Sequence, residues 1–216
     1  MKPRISVLIP SRGRVAQLEA SLMSLGWRRY EPLPEVEFLT ALDDDDPQVH
    51  LYKERLGNNT TIITMPRVGY GYLDYYYNEL AKKSTGDWLW LWNDDATMRE
   101  GPWLEKLKEV DASRPYVGQF GGHHIFPLMT RTLYKIIGHF SKGASNDTYV
   151  LGVGDRGGVR IYIGDAQEIT IDHNEIHDQT EGDKNITLGI AMGRPGWDEQ
   201  DKDAEKVKQW LSKHPQ

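Results

Sequence analysis

Three short polar clusters, each following an apolar run, group residues that can do chemistry: Ser11-Arg12-Gly13-Arg14, Asp43-Asp44-Asp45-Asp46 and Asn93-Asp94-Asp95. Neighbouring carboxylates at the end of a strand suit a hard divalent cation such as Mg²⁺ or Mn²⁺, which takes oxygen donors. A cation held there can bridge two phosphates and neutralise a departing diphosphate. The competing reading of Asn93 to Asp95 is a solvated turn, where Asn and Asp are common. Asp43 and Asp44 suit hydrogen bonds to a nucleobase or ribose, whereas Asp46 suits a helix N-cap with Pro47 at the first helical position. Arg12 and Arg14 bring two cations to a helix N-terminus, which favours anions. The spacing there is neither a P-loop nor G-x-G-x-x-G. His173 is a possible further metal donor, or an ordinary structural histidine. Asp147 is placed to act as a general base that a helix N-terminus keeps ionised, or else to cap that helix together with Ser145 and Asn146. His123 and His124 are candidates for the acceptor side.

The elements that must position these residues follow from hydrophobic spacing. Ile5 to Ile9 reads as a strand buried on both faces, and Pro10 stops it. Val15, Leu18, Leu22 and Leu25 recur at helical spacing up to Gly26. The unit repeats: a strand over Val36 to Leu42 and a helix from Pro47, then a strand over Thr60 to Met65 and a helix carrying Leu73, Tyr76, Tyr77, Leu80 and Ala81. A Trp-rich strand, Trp88 to Trp92, follows, with its three tryptophans in the core, and then a helix through Trp103, Leu104, Leu107 and Val110. Strands alternating with helices predict a mainly parallel α/β sheet, with the three clusters meeting at its carboxyl edge. The second half is less regular. Tyr116 to Gly122, Gly158 to Gly164 and Glu168 to Asp172 read as strands, Leu128 to Ile137 and Ser145 to about Val153 as helices, and His173 to Asp201 as a loop or lid. A charged terminal helix carries Ala204, Val207, Trp210 and Leu211 on one face.

The 216 residues suffice for one large domain with a sizeable core. A hydrophobic share of 38% beside 27% charged residues is that of a globular chain. The formal charge of −6 argues against a dedicated nucleic-acid binder, and the lack of cysteine excludes disulfides and cysteine-bound zinc. No apolar run reaches the length of a signal-peptide core or a membrane span, so a cytoplasmic protein without a membrane span is expected.

Taken in order, these residues resemble family 2 of the GT-A glycosyltransferases. Ile5-Ser-Val-Leu-Ile-Pro-Ser-Arg-Gly-Arg14 is similar to the family's opening strand and turn, and Asp43-Asp44 to its nucleoside-binding acidic pair. Asn78, Ala81 to Asp87 and Trp88 to Asp95 resemble its Asn-helix-Gly-Asp-strand-DXD run. Phe126-Pro127-Leu128 and Gly138-His139-Phe140 resemble its acceptor-side segment. The resemblance implies a single GT-A domain over 1–216, with a nucleotide-binding half over 1–97, an acceptor-side half over 98–175, and a lid and terminal helix over 176–216. It implies a nucleotide-sugar donor, UDP-linked by family likeness, and Mn²⁺ or Mg²⁺ as cofactor. It implies donor contacts from Pro10, Ser11, Arg12, Arg14, Asp43, Asp44, Asn78, Asn93 and Asp94. The cation would be held by Asp95 and His173, and Asp147 would be the base of an inverting transfer. The acceptor is open between a glycan, a small molecule, a protein and a nucleic acid base, and the oligomeric state is open too. Two departures stand out: the DXD run begins with Asn93, and the usual Glu-Asp pair at the base is Asn146-Asp147. The alternatives are a nucleotidyltransferase, which would release pyrophosphate, and a non-catalytic sugar-nucleotide-binding protein.

Overall fold

A computed structural model describes residues 4–28, 30, 33–57, 59–121, 125–143, 145–165, 167–173 and 197–215. The elements run β1 (Ile5–Ser11), α1 (Val15–Ser24), β2 (Val36–Asp43), α2 (Val49–Leu56), β3 (Thr61–Met65), a 3₁₀ turn (Tyr70–Tyr72), α3 (Leu73–Lys83), β4 (Trp88–Leu91), β5 (Ala96–Glu100) and α4 (Trp103–Lys108). They continue as β6 (Val117–Phe120), β7 (Leu128–Thr130), α5 (Arg131–Ile137), α6 (Asn146–Gly157), β8 (Arg160–Ile163), β9 (Thr170–His173) and α7 (Trp197–Lys213).

Seven strands form one sheet in the order β3-β2-β1-β4-β7-β6-β8, and β5 pairs with β9 in a separate two-stranded sheet. β1 runs parallel to both β2 and β4, and β2 is parallel to β3. β7 is antiparallel to its neighbours β4 and β6. The chain leaves β1 toward β2 and β3 and returns on the other side as β4. The strand order therefore reverses between β1 and β4, which is where open α/β sheets leave a ligand crevice.

The tryptophans of β4 form the centre of the core, as their alternation predicts. Trp88, Trp90 and Trp92 have no exposed surface. The Trp90 ring lies 4.7 Å from Trp92, 5.2 Å from Trp103 and 5.1 Å from Phe120. Two indoles also find acceptors: Trp90 Nε1 donates to the Phe126 carbonyl at 3.1 Å and Trp92 Nε1 to Ser21 Oγ at 2.8 Å. Rigid packing here matters because the chain leaving β4 carries Asn93, Asp94 and Asp95.

The turn into β4 is held by a half-buried polar knot. Glu37 accepts from Ser6 Oγ, from the Thr85 amide and from the Gly86 amide, and Arg131 donates to the carbonyls of Gly86 (3.0 Å) and Ala81 (3.1 Å). A Cβ on Gly86 would sit 2.5 Å from Ser6 Oγ and 2.6 Å from the Ser6 amide nitrogen. Backbone of a central strand cannot yield to that contact. Gly86→Ala is therefore expected to cost about 3 kcal/mol. Urea denaturation checks this: the midpoint should fall at an unchanged slope.

Helix α7 docks on α6 through Gln200, whose Nε2 donates to the carbonyls of Thr148 (3.0 Å) and Tyr149 (3.2 Å). Beside it Asp203, fully buried, accepts from the Tyr149 hydroxyl and from Lys206 Nζ at 2.7 Å. His139 Nε2 lies 2.8 Å from Asp203, close enough for charge pairing but off the line a hydrogen bond needs.

Three expectations are corrected. α2 begins at Val49 after Gln48, not at Pro47. Asp46 instead accepts from the Gln48 amide at 2.8 Å and from the Gly13 amide at 2.7 Å, so it ties two turns together rather than capping from outside. The run from Leu128 to Ile137 is a strand and then a helix, divided where Thr130 Oγ1 accepts from the Leu133 amide and caps α5. β5 was not expected between Asp95 and Trp103; its pattern is half-exposed, and its partner lies far along the chain. His123, His124 and residues 174–196 of the expected loop or lid lie outside the described residues. Among the described residues no helix is long and apolar enough to cross a membrane.

Candidate active site

The three polar clusters meet. Ser11, the last residue of β1, donates from Oγ to Asp94 Oδ2 at 2.7 Å, bridging the gap between β1 and β4 at the reversal point. The Tyr52 hydroxyl accepts from the Arg14 amide at 2.8 Å and lies 2.9 Å from Ser11 Oγ. With the amide filling one lone pair of Tyr52, its proton points to Ser11, whose own proton goes to Asp94. The result is a directed chain from the first turn to the carboxylate. Burial raises the Tyr52 phenol to about 12, so that proton stays in place.

Arg14 Nη1 lies 3.3 Å from Asp94 Oδ1 and 3.7 Å from Asp95 Oδ2. Burial pushes Asp94 up to about 6, with Ser11 and Arg14 pulling against it and the charge of Asp95 adding to it. Asp94 is thus sealed by protein donors on both oxygens. Asp95 keeps Oδ1 directed elsewhere: it lies 3.2 Å from His173 Nε2.

β9 delivers His173, because Ala96 at the start of β5 pairs in register with His173. Phe126 packs against the imidazole edge to face, at 5.6 Å between centroids. Asn93 completes the corner, with Nδ2 3.2 Å from His173 Nε2. Beneath it the Tyr77 hydroxyl faces two acceptors, the Trp92 carbonyl and Asn93 Oδ1, both at 3.1 Å. Burial, followed by the charges of Tyr70, Asp94, Asp147 and Asp95, holds Tyr77 well above the ordinary phenol range. Asp147 lies half-buried in the first turn of α6.

At the other end of the crevice Asp43 accepts from the Tyr76 hydroxyl, and from Arg12 Nη1 at 3.0 Å. Arg12 also reaches the exposed Asp45. Burial opposes the Arg12 cation, but its bonds to Asp45 and Asp43 outweigh that and raise it. Asp44 is exposed beside them, its amide bonded to the Met65 carbonyl at 2.9 Å. Pro10 sits one residue before Ser11 in β1, opposite Ala41. Asn78 stands apart: its Oδ1 accepts from the amides of Phe140 (2.7 Å) and Ser141 (3.2 Å), and its Nδ2 donates to the Ser141 carbonyl at 2.8 Å. Its amide fixes the 140–141 segment.

A cleft between α1 and β5, lined by Gln17, Ser21, Asp94, Asp95 and Thr97 among others, opens the two carboxylates to the outside. The helical spacing of Leu73, Tyr76, Tyr77, Leu80 and Ala81 puts these tyrosines on the apolar face of α3. Tyr76 and Tyr77 are indeed buried, yet their hydroxyls reach Asp43 and Asn93. The available signal was tyrosine in place of phenylalanine, since a buried hydroxyl calls for a partner.

An open, mainly parallel sheet in this strand order, with an antiparallel strand beside β4 and its carboxylates at the switch point, is the GT-A architecture. Among solved structures the chain is similar to the mannosyltransferase PcManGT from Pyrobaculum calidifontis in complex with GDP-Man and Mn²⁺. The TM-score is 0.61 at 10% identity, over 100% of this chain and 77% of that one. It is similar to S. aureus TarS 1-349 in complex with UDP-GlcNAc, with a TM-score of 0.58 at 13% identity over 97% of this chain and 73% of that one. Against TarS 1-349 in complex with UDP the TM-score is 0.58 at 14% identity, over 75% of this chain and 58% of that one. Likeness at such identities establishes the fold. No family model matches the sequence, and no curated protein matches it.

Proposed function

We propose that this chain is a glycosyltransferase that moves a sugar from a nucleoside-diphosphate donor to an acceptor hydroxyl or amine, with a divalent cation and with inversion. One observation carries the reading: side chains from the ends of β1, β2 and β4 converge at the switch point, with Ser11 bonded to Asp94 at 2.7 Å. Asp43, flanked by Arg12 and Tyr76, receives the nucleobase. Ser11, Asp94 and Arg14 fix the floor under the ribose and diphosphate. Pro10, Arg12 and Asp44 border that surface.

The residues fit a divalent cation at Asp95 and His173. Two donors on adjacent corners of an octahedral site with bonds of about 2.1 Å lie about 3.0 Å apart, and Asp95 Oδ1 and His173 Nε2 are separated by 3.2 Å. A cation bound there supplies charge neutralisation for the leaving diphosphate. Asp147 takes the acceptor proton as the acceptor atom bonds to the anomeric carbon. The bond from that carbon to the diphosphate oxygen breaks on the opposite face. UDP is the nucleotide expected from family resemblance, and the GDP-Man and UDP-GlcNAc complexes of the structural neighbours support a sugar-nucleotide donor.

Release of UDP or GDP from UDP- and GDP-sugars, measured with and without EDTA, tests the reading. Release should occur with one of the two donor classes and fall at least about tenfold on chelation. Release unchanged by EDTA would remove the cation, and pyrophosphate as product would point to nucleotidyl transfer instead.

A further inference from the structure

Among the described residues the Asp147 carboxylate makes no hydrogen bond or ion pair, so its place is set by the backbone on either side of it. Both sides are held, from different elements. Asn146, buried, accepts through Oδ1 from Ser141 Oγ. Ser141 is in turn bonded to Asn78 of α3, its amide donating to Oδ1 at 3.2 Å and its carbonyl accepting from Nδ2 at 2.8 Å. On the other side stand the carbonyls of Thr148 and Tyr149, and Gln200 Nε2 of α7 donates to both, at 3.0 and 3.2 Å. Gln200 has no exposed surface, and its Oε1 accepts from Arg156 Nη1 at 2.7 Å. Both polar atoms of that side chain are thus bonded to α6, and the nitrogen holds the turn that carries Asp147.

α6 has little capacity to hold that turn in place by itself. Gly152, Gly154 and Gly157 fall within it, and glycine favours helix less than any residue except proline. Such a helix takes its order from what packs against it. The glycines are also where the neighbours enter. A Cβ on Gly154 would lie 2.7 Å from Val117 Cβ of β6, one on Gly152 2.6 Å from Gln200 Nε2, and one on Gly157 3.3 Å from Val207 Cγ1. β6 and α7 therefore both press close on α6. α7 bears on it at two separate points, Gln200 at the first turn and Val207 at the last. Lys142, ahead of the helix, adds a bond from Nζ to Glu199 of α7 at 2.6 Å.

We infer that Gln200 is a positioning residue for the transfer: through Thr148 and Tyr149 it holds the first turn of α6 in the placement from which Asp147 takes the acceptor proton. This role rests on the base assignment above and adds to it a residue that acts only through Asp147. An apolar side chain at position 200 would fill similar space and leave α7 docked, yet would free the turn to shift. A displacement of about 1 Å at a reacting group costs on the order of 10²-fold in rate.

The readout is release of UDP or GDP from whichever of the UDP- and GDP-sugars the wild type turns over, with water as the acceptor, well below the melting temperature. Gln200→Leu should lower kcat about 10–100-fold, with KM for the donor and affinity for the nucleotide unchanged. Val207→Ala is the control. It loosens the same two helices at the far end of α6 and should lower the melting temperature with kcat unchanged. In the Asp147→Asn background the further effect of Gln200→Leu should vanish, since residues that act through one group are not additive. A wild-type kcat in Gln200→Leu would overturn the inference. So would an equal fall in Val207→Ala, which marks a merely structural role, or a Gln200→Leu effect undiminished in the Asp147→Asn background. If Gln200→Leu does not fold, as judged by its circular dichroism melt, Gly152→Ala decides alone. Its methyl displaces the Gln200 amide while alanine strengthens the helix. A lowered kcat with the melt retained then supports the role, and a wild-type kcat refutes it. Asp147→Asn with wild-type turnover would instead remove the base from the functional reading, so the two failures are distinct.

Discussion

Asp147→Asn is expected to lower sugar transfer by about 10²–10⁴-fold, the usual contribution of a positioned general base, while nucleotide affinity stays at the wild-type value. The argument is one of place. Asp147 stands half-buried in the first turn of α6. Its side chain takes no part in the bonds from Ser11 and Arg14 that hold Asp94. An isosteric amide keeps the packing and removes only the proton acceptor. Turnover measured beside nucleotide titration separates the two effects, and a variant with wild-type turnover would remove Asp147 from the reaction.

The second large effect is on stability. Asp203→Asn is expected to cost about 3–5 kcal/mol, because it leaves Tyr149, His139 and Lys206 around a side chain that no longer carries charge. Burial raises the Asp203 carboxyl, but the nearby His139 and bonds from Lys206 and Tyr149 outweigh it and hold the group far below the usual carboxylate range. The folded value is thus depressed relative to the unfolded one of about 3.9. Its stabilisation is complete above about pH 4 and drains away as pH falls from there through the folded value. Chemical denaturation at pH 7 and at pH 3 checks both parts. Wild type should lose stability between them, and the Asn variant should lose much less. A wild-type slope preserved in the variant would assign acid sensitivity to other groups, such as Glu37, which is also held low by its bonds to Ser6 and the 85–86 turn.

Much of the first half was legible because local pattern and final burial coincide there. Ile5 to Ile9, Val36 to Leu42 and Trp88 to Trp92 are apolar in sequence and buried in the sheet. Their polar endings meet because parallel strands joined by helices place all their carboxyl ends on one edge. What sequence does not display is how a carboxylate is used once it arrives. Asp94 and Asp95 are adjacent and identical in type. One is sealed by Ser11 and Arg14 and the other faces His173, a difference set by residues about 80 positions away in the chain. Asp46 reads as a simple cap because its bond to the Gly13 amide is a tertiary one. The bonds of Asn78 to the 140–141 segment are not legible in sequence because Phe140 and Ser141 lie beyond any local window. β5 escaped notice because a strand that is half-exposed and paired across such a distance has little pattern of its own.

That small β5–β9 ribbon sets an order on how the molecule is completed. His173 meets Asp95 only when the two short strands pair, and the intervening chain must first form a closed loop through α4, β6, β7, α5, α6 and β8. Contacts that close so long a circuit pay their entropy before they gain anything. The corner formed by Asp95 and His173 is therefore among the last features to assemble, and amide exchange in β5 and β9 should be faster than in β1. The contact between Asp95 and His173 thereby becomes a signature of a chain that has finished folding.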